Sequence, residues 1–477
     1  MKRQGLFLLF FILAAIAIRF FSFFPSELDH DEATYMLIGN EMTKGKALYA
    51  DVTDTKPVAI FLVYAALQKV VGYSIFWKRF FVAILVGLTC FLVKKVSIKL
   101  FKDHKAAFAA GIIYLFYTST WGLFGLSPNA ELFFNLFTIA ALLYFLKGGA
   151  RAFFLAGFMM GIGFMFKYLT LFDYAAFVLF FFLKDFRGTR SPVKISIIVP
   201  YVLSGIGFLI PFALTAFYFY AVGRFDDFYF ITFKLPGLYG NSPSATRYLV
   251  MMGDVIMRFF PITFFFVYVW FGKHRLLNNE HQLFFILWML FDMVAIYLPG
   301  KEFSHYTIQL MLPVSLIAGQ FFHSSLKFKG WLKVMFRGKS GAVILLVVLL
   351  TIQVFSYIDN IHKTDQYKQV AGYLGQQLDD DDKVFVSNYE PIIYYLLRQG
   401  VPGKYVHPTL LFSDLHKAFL FDNVAEVKRI LDTHPKFVMI QYENEIVEPL
   451  IQQSYRLDTT FRNGEVQVFK FAQKKTN

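Results

Sequence analysis

The sequence predicts a polytopic α-helical membrane protein carrying a small soluble α/β domain at its C-terminal end. Three observations carry this. The chain of 477 residues is 57% apolar with a mean hydropathy of +0.50, and its apolar residues gather in runs of span length up to residue 357. Residues 358–477 instead have ordinary polarity and alternate helix-like, strand-like and turn-like stretches. The formal charge of +14 lies mainly in short Lys/Arg links between apolar runs, which is the pattern of cytoplasmic loops and not of a nucleic-acid surface. A single cysteine, Cys90, excludes an internal disulfide and any cysteine-based metal box.

Apolar runs place spans near 5–24, 75–97, 106–120, 130–147, 152–166, 168–184, 194–222, 250–272, 282–299, 305–323 and 341–358. The first begins with Lys2 and Arg3 and has no small-residue cleavage site, so a retained span is expected in place of a signal peptide. With the N-terminus in the cytoplasm, basic clusters such as Lys94–Lys105 and Lys184–Lys194 fall inside, and the odd number of spans puts 358–477 outside. The segment "PVAIFLVYAALQKVVG" is apolar enough to mimic a span, but counting it would reverse the charge pattern. It is therefore expected as a juxtamembrane helix within a first outer loop, 25–74, with Pro57 in its first turn. The glycines of the two "GIGF" runs are expected to permit close helix packing.

In the soluble part, "DKVFVSN" and "KFVMIQYE" read as strands, "QVAGYLGQQL" and "FDNVAEVKRILDTH" as amphipathic helices, and "TTFRNGEVQVFKF" as a hairpin turning at Asn463-Gly464. The "DDDD" run, Asp379 to Asp382, lacks the spaced ligands of a calcium loop and reads as a solvated turn.

Ionisable residues near a bilayer are costly, so their location points to function. Those not explained as cytoplasmic anchors lie at the expected outer ends. They are Asp29, Asp31 and Glu32 after the first span, Lys56, Glu131, Lys167 and Asp173, Arg224 and Arg247, and Lys301, Glu302, His305 and Tyr306. A single outward-facing polar cavity is expected to collect them. Acids mixed with bases at one membrane face suit reaction with a phosphate-bearing lipid, because cations neutralise the phosphate while a carboxylate takes a proton or holds a metal ion. A proton-coupled transporter would place its carboxylates nearer the midplane.

Taken in order, Asp31-Glu32 in "DHDEATYMLIGNEMTKGKALYADV", then "DTKPV", "SPNAEL", the Lys of "FKYLTLFD" and "HYTIQLMLP" resemble the GT-C superfamily of polyprenyl-phosphate-sugar glycosyltransferases. The likeness is to the bacterial protein O-mannosyltransferase-like and lipid A aminoarabinose-transferase-like branches. It implies an enzyme of the bacterial cytoplasmic membrane that moves a hexosyl or pentosyl group from a polyprenyl-phosphate donor to a hydroxyl of a protein, lipid A or a glycan. A lipid-linked oligosaccharide polymerase or ligase, and a lipid-linked saccharide flippase, are the alternatives. The resemblance implies that Asp31 is the general base, or the metal-holding carboxylate in branches that use a metal, supported by Glu32. Lys56 and Lys167 would meet the donor phosphate, Arg247 would assist, and His305 and Tyr306 would line the donor site. It implies no cofactor beyond a divalent metal ion in the branches that use one, for which Glu131 and Asp29 are the supporting carboxylates. The sequence has "KPV" where many relatives have Lys-Pro-Pro.

Each residue also has an ordinary reading. Asp29, Asp31 and Glu131 stand where helix first turns favour acids, Glu32 suits a solvated helix face, Lys56 and Lys167 suit interfacial anchors, and His305 and Tyr306 suit an aromatic belt. Asp292, deep in an expected span, reads as a helix-packing hydrogen bond.

Overall fold

The long apolar runs become helices in the computed structural model of the chain. It describes residues 2–472 apart from 121–124, 188–194, 240–244, 259, 261, 273–275, 301–302, 329 and most of 331–364. Among the described residues, four helices are long and apolar enough to cross a membrane: Gln4–Phe23, Ile75–Phe101, Ile195–Ala221 and Asn279–Tyr297. Most of the expected span at 341–358, the residues Lys333, Arg337 and Lys339 expected in the cytoplasm, and the candidates Lys301 and Glu302 lie outside the described residues.

The chain divides into two compact units. The first comprises Met1–Phe23, Arg79–Tyr218 and Gly240–Lys363, and the second Phe24–Lys78, Phe219–Tyr239 and Thr364–Asn477. In the first unit, helix α1 (Lys2–Arg19) ends at a buried arginine, and the Arg19 guanidinium donates to the carbonyls of Thr118, Gly125 and Leu126 at 2.6–2.8 Å. The bond to Thr118 satisfies the C-cap carbonyl of helix His104–Tyr117, and the other two satisfy carbonyls of the turn that follows. Helices at His104–Tyr117, Ala130–Phe145, Ala150–Phe164 and Thr170–Arg187 occupy the expected runs.

Two expected spans are broken. In place of one helix over 250–272 there are two, Ala245–Arg258 and Ile262–Phe271, with Pro261 in the sequence between them. The run 305–323 becomes a 3-10 turn Ser304–Ile308, a short helix Met311–Ala318 and a second 3-10 turn Gly319–Phe322. Pro313 stands in the first turn of that short helix. Its ring would clash with the carbonyl four residues earlier in a helix continuous from 305.

The glycine runs do permit close approach. A β-carbon at Gly157, Gly161 or Gly207 would collide with the backbone carbonyl of Ser204, Phe208 or Phe154 respectively, so Ala150–Phe164 and Ile195–Ala221 cross backbone to backbone.

In the second unit, helices His30–Thr43 and Val58–Val71 pack together through Gly39, whose missing β-carbon leaves room for the backbone of Tyr64 and Ala65. Pro57 is the N-cap of the second of these helices, with extended backbone, and so stands one residue before the first turn expected to hold it. The sheet has four strands, β1 (Val384–Val386), β2 (Phe437–Gln441), β3 (Tyr455–Phe461) and β4 (Val466–Phe471), in the order β1-β2-β4-β3. Strand β1 pairs with β2 in parallel, and the other pairings are antiparallel. The β3–β4 hairpin turns through Asn463 and Gly464, both at positive φ, which Asn and Gly tolerate best. The amphipathic helix Asn423–Leu431 buries Val427 and Ile430 against Phe385, Val438 and Ile440 of the sheet. The run Asp379–Asp382 forms a turn, with Lys436 reaching Asp379 and Asp382.

Candidate active site

Most of the described polar residues singled out in the sequence fall into one group in each unit, with Glu32, Arg224 and Arg247 apart from both. In the second unit the group is built on the start of helix His30–Thr43. Asp29 takes its N-cap position and accepts a hydrogen bond from the Asp31 backbone N–H at 3.4 Å. Asp31 follows in the first turn, where a carboxylate is favoured by the helix dipole.

The Lys56 ammonium lies 2.6 Å from Asp31 Oδ1 and 3.3 Å from Asp54 Oδ2. Local contacts hold it there. The Tyr49 hydroxyl donates to the Lys56 carbonyl at 2.8 Å, and the Lys56 ammonium lies over the Tyr35 ring, 5.5 Å from its centre. Tyr35, one turn beyond Asp31, donates to Asp31 Oδ2 at 3.3 Å.

The C-terminal region adds a member. Thr53 N–H donates to the Lys404 carbonyl at 2.8 Å and Thr53 pairs with Tyr405, which brings the next turn of chain alongside and sets His407 Nε2 3.8 Å from Asp31 Oδ1.

The electrostatics of this group follow from burial and charge together. Burial opposes the charge on Lys56, but Asp31 and Asp54 outweigh it and hold the ammonium well above its ordinary pKa. Burial pushes the His407 ring below its ordinary value despite the two carboxylates, so a neutral imidazole faces Asp31. Burial and the Asp31 charge push the Asp29 carboxyl up to about 7. Glu32 lies elsewhere. It is buried, and its charge acts on Glu27, Lys78 and Tyr395.

In the first unit, Glu131 opens helix Ala130–Phe145 and is ion-paired with Lys167, which stands in the link between Ala150–Phe164 and Thr170–Arg187. The Lys167 ammonium also lies 3.6 Å from the centre of the Tyr306 ring. Asn135, one turn beyond Glu131, donates to the Ile308 carbonyl at 2.9 Å and so ties the 304–308 turn to the same helix. The His305 ring stacks on Phe303 and meets the edge of Tyr306.

Behind this pair, Trp288 Nε1 donates to Asp173 at 2.6 Å, and Gln309 Nε2 donates to Asp173 at 2.7 Å and to Asp292 at 3.3 Å. Asp292 thus serves a packing network of buried hydrogen bonds. Arg247 is exposed on helix Ala245–Arg258, and Arg224 is exposed before the short helix Phe225–Tyr229.

Sequence reasoning missed Asp54, Tyr35 and His407. Asp54 was within reach, because it stands two residues before Lys56 in "DTKP". Tyr35 follows Asp31 by four, the spacing that puts two side chains on one helix face. His407 carries no local signal, since the chain pairing at Thr53–Tyr405 brings it across from 350 positions away.

Residues 55–218 match the model of the dolichyl-phosphate-mannose-protein mannosyltransferase family. That stretch contains Lys56, Glu131 and Lys167 and stops short of Asp31. Among solved structures the chain is similar to ArnT from Cupriavidus metallidurans bound to undecaprenyl phosphate, with a TM-score of 0.66 and 14% identity over 98% of both chains. The same protein in its apo state gives a TM-score of 0.68 at 14% identity over 98% of both. Arabinofuranosyltransferase AftD from Mycobacteria matches with a TM-score of 0.51 and 10% identity, over 98% of this chain and 40% of that one. No curated protein matches in sequence. The chain therefore has the fold of ArnT, and the GT-C resemblance read from its motifs agrees with both comparisons.

Proposed function

We propose that this protein is a membrane glycosyltransferase that moves a sugar from a polyprenyl-phosphate donor to an acceptor hydroxyl, at the outer face of the cytoplasmic membrane. The observation that carries the reading is the Asp31–Lys56 pair, a carboxylate and an ammonium 2.6 Å apart in a setting where both are mostly withdrawn from water. Sugar transfer needs both kinds of group. The acceptor hydroxyl must lose its proton to a base, and the departing polyprenyl phosphate must have its growing negative charge neutralised.

Asp31 is the base in this reading. Lys56, held charged by Asp31 and Asp54, turns to the donor phosphate when donor arrives, which leaves Asp31 beside the acceptor. The acceptor oxygen displaces the phosphate directly at the anomeric carbon, so the configuration inverts. Lys167, paired with Glu131 and covered by Tyr306, is the cation of the first unit's own polar group. The fold shared with ArnT, whose solved structure holds undecaprenyl phosphate, supports a polyprenyl phosphate as the lipid.

The test is release of polyprenyl phosphate from a panel of labelled polyprenyl-phosphate sugars by the purified protein in detergent. Asp31→Asn is expected to lower turnover by about 10²- to 10⁴-fold, the range of a positioned base. Turnover that survives Asp31→Asn unchanged removes Asp31 as the base, and donor translocation without sugar release makes the protein a transporter.

A further inference from the structure

We infer that Glu27, His30 and Glu390 form a binding site for one divalent transition-metal ion, a site separate from the Asp31–Lys56 pair and independent of the glycosyltransferase reading. Glu27 stands just before helix His30–Thr43 and His30 is its first residue, whereas Glu390 follows β1 and precedes Pro391. Each side chain offers a ligand atom, and the three atoms lie within 4.8 Å of one another. His30 Nδ1 meets Glu390 Oε2 directly.

The second observation is the state of Glu27. Both of its carboxylate oxygens are buried, no basic side chain or backbone N–H satisfies them, and the group they meet is the Glu390 carboxyl. A buried carboxylate left unsatisfied is expensive, and such groups in folded proteins are paired, protonated or bound to a cation.

The local charge also calls for a cation. Glu390 faces Glu27, with Glu32 and Asp29 close enough to act on it, and Glu390, Asp29 and Asp31 act on the His30 ring. Burial, then the charge of Glu390, drives the Glu27 carboxyl well above its usual range. A divalent ion reverses that balance, since it becomes the largest local charge and favours both carboxylates ionised.

One imidazole with two carboxylates suits zinc or another first-row divalent ion, whereas calcium takes six to eight oxygens and magnesium keeps most of its water. The remaining coordination positions would be filled by water. The ion would join the first polar loop to the C-terminal region one residue before Asp31, fixing the start of the helix that presents the proposed base. The competing occupant is a proton shared between Glu27 and Glu390.

The test uses the full-length protein in detergent, stripped with a chelator and titrated with Co²⁺ followed by visible absorption. One equivalent of Co²⁺ per chain is expected to bind, to be displaced by Zn²⁺ and to be unaffected by excess Mg²⁺. Glu27→Gln and Glu390→Gln are each expected to weaken Co²⁺ binding by at least about tenfold, since the loss of groups that merely support a ligand already costs that much. Asp31→Asn is expected to leave the stoichiometry intact. Pulsed EPR of the Mn²⁺-loaded wild type, which needs no variant, is expected to show coupling to one histidine nitrogen. Absence of saturable Co²⁺ binding, binding unchanged in both Gln variants, or Mn²⁺ without nitrogen coupling overturns the site and leaves the shared proton. None of these readouts depends on sugar transfer.

Discussion

The two lysine–carboxylate pairs of this protein have the same chemistry in different settings. Lys56 stands on a polar loop and faces Asp31 and Asp54 with a neutral His407 nearby, so acids outnumber the cation around it. Lys167 stands in a tight link between apolar helices, bonded to a Glu131 that is 1% exposed and covered by the Tyr306 ring. An ammonium among surplus carboxylates can leave one partner for a phosphate and still not strand an isolated charge. An ammonium matched to a carboxylate inside a helix bundle strands that carboxylate when it leaves, which favours a structural share for the second pair.

Four measurements break or sharpen this contrast. The largest effect is expected from Lys56→Met, which lowers turnover by about 10²- to 10³-fold if its ammonium stabilises the departing phosphate. Its thermal unfolding in detergent is expected to shift less than that of Lys167→Met, and the reverse order of stabilities would dissolve the distinction. Lys167→Met is expected to cost about 3–5 kcal/mol in unfolding free energy, with most of it recovered in the Glu131→Gln/Lys167→Met double variant. Failure of the double variant to recover would show that Lys167 acts through something besides Glu131.

Gly39→Val comes next. Its new side chain meets the backbone of Tyr64 and Ala65, so a loss of about 1–3 kcal/mol is expected. Turnover is expected to fall with it, because Lys56 stands two residues before the helix that is pushed away. The smallest effect concerns acid stability. Burial raises the Asp365 carboxyl, but hydrogen bonds from Ser26 and the nearby Lys368 outweigh it and hold it below its ordinary value. A depressed acid contributes stability that is complete above its unfolded pKa and disappears as pH falls through the folded one. Asp365→Asn is therefore expected to cost about 1 kcal/mol or less near neutrality and progressively less as pH falls below the ordinary carboxylate range, read by thermal unfolding against pH.

Much of the architecture was readable because it depends on local composition. Apolar runs bounded by basic links gave the helices, and the Asn463-Gly464 turn and alternating flanks gave the hairpin. Two departures from the reading coincide with prolines. Pro313 stands in the first turn of the short helix within 305–323, and Pro261 falls in the sequence between two helices read as one, although Pro200 and Pro211 lie inside the unbroken helix Ile195–Ala221. Hydropathy counts transfer free energy and is blind to a missing N–H.

By itself the sequence determined which residues are costly enough to need a reason: Asp31, Lys56, Glu131 and Lys167 stand beside apolar runs where a charge must find a partner or a task. It also placed Asp29 at the start of a helix, where the structure makes it the N-cap. Only the tertiary structure decided who meets whom. It paired Lys56 with Asp31 across 25 positions and drew His407 and Glu390 from the far end of the chain. The reason is physical. Local spacing fixes the face on which a side chain lies, but a partner hundreds of residues away is chosen by strand pairing and helix packing, which no short stretch encodes alone.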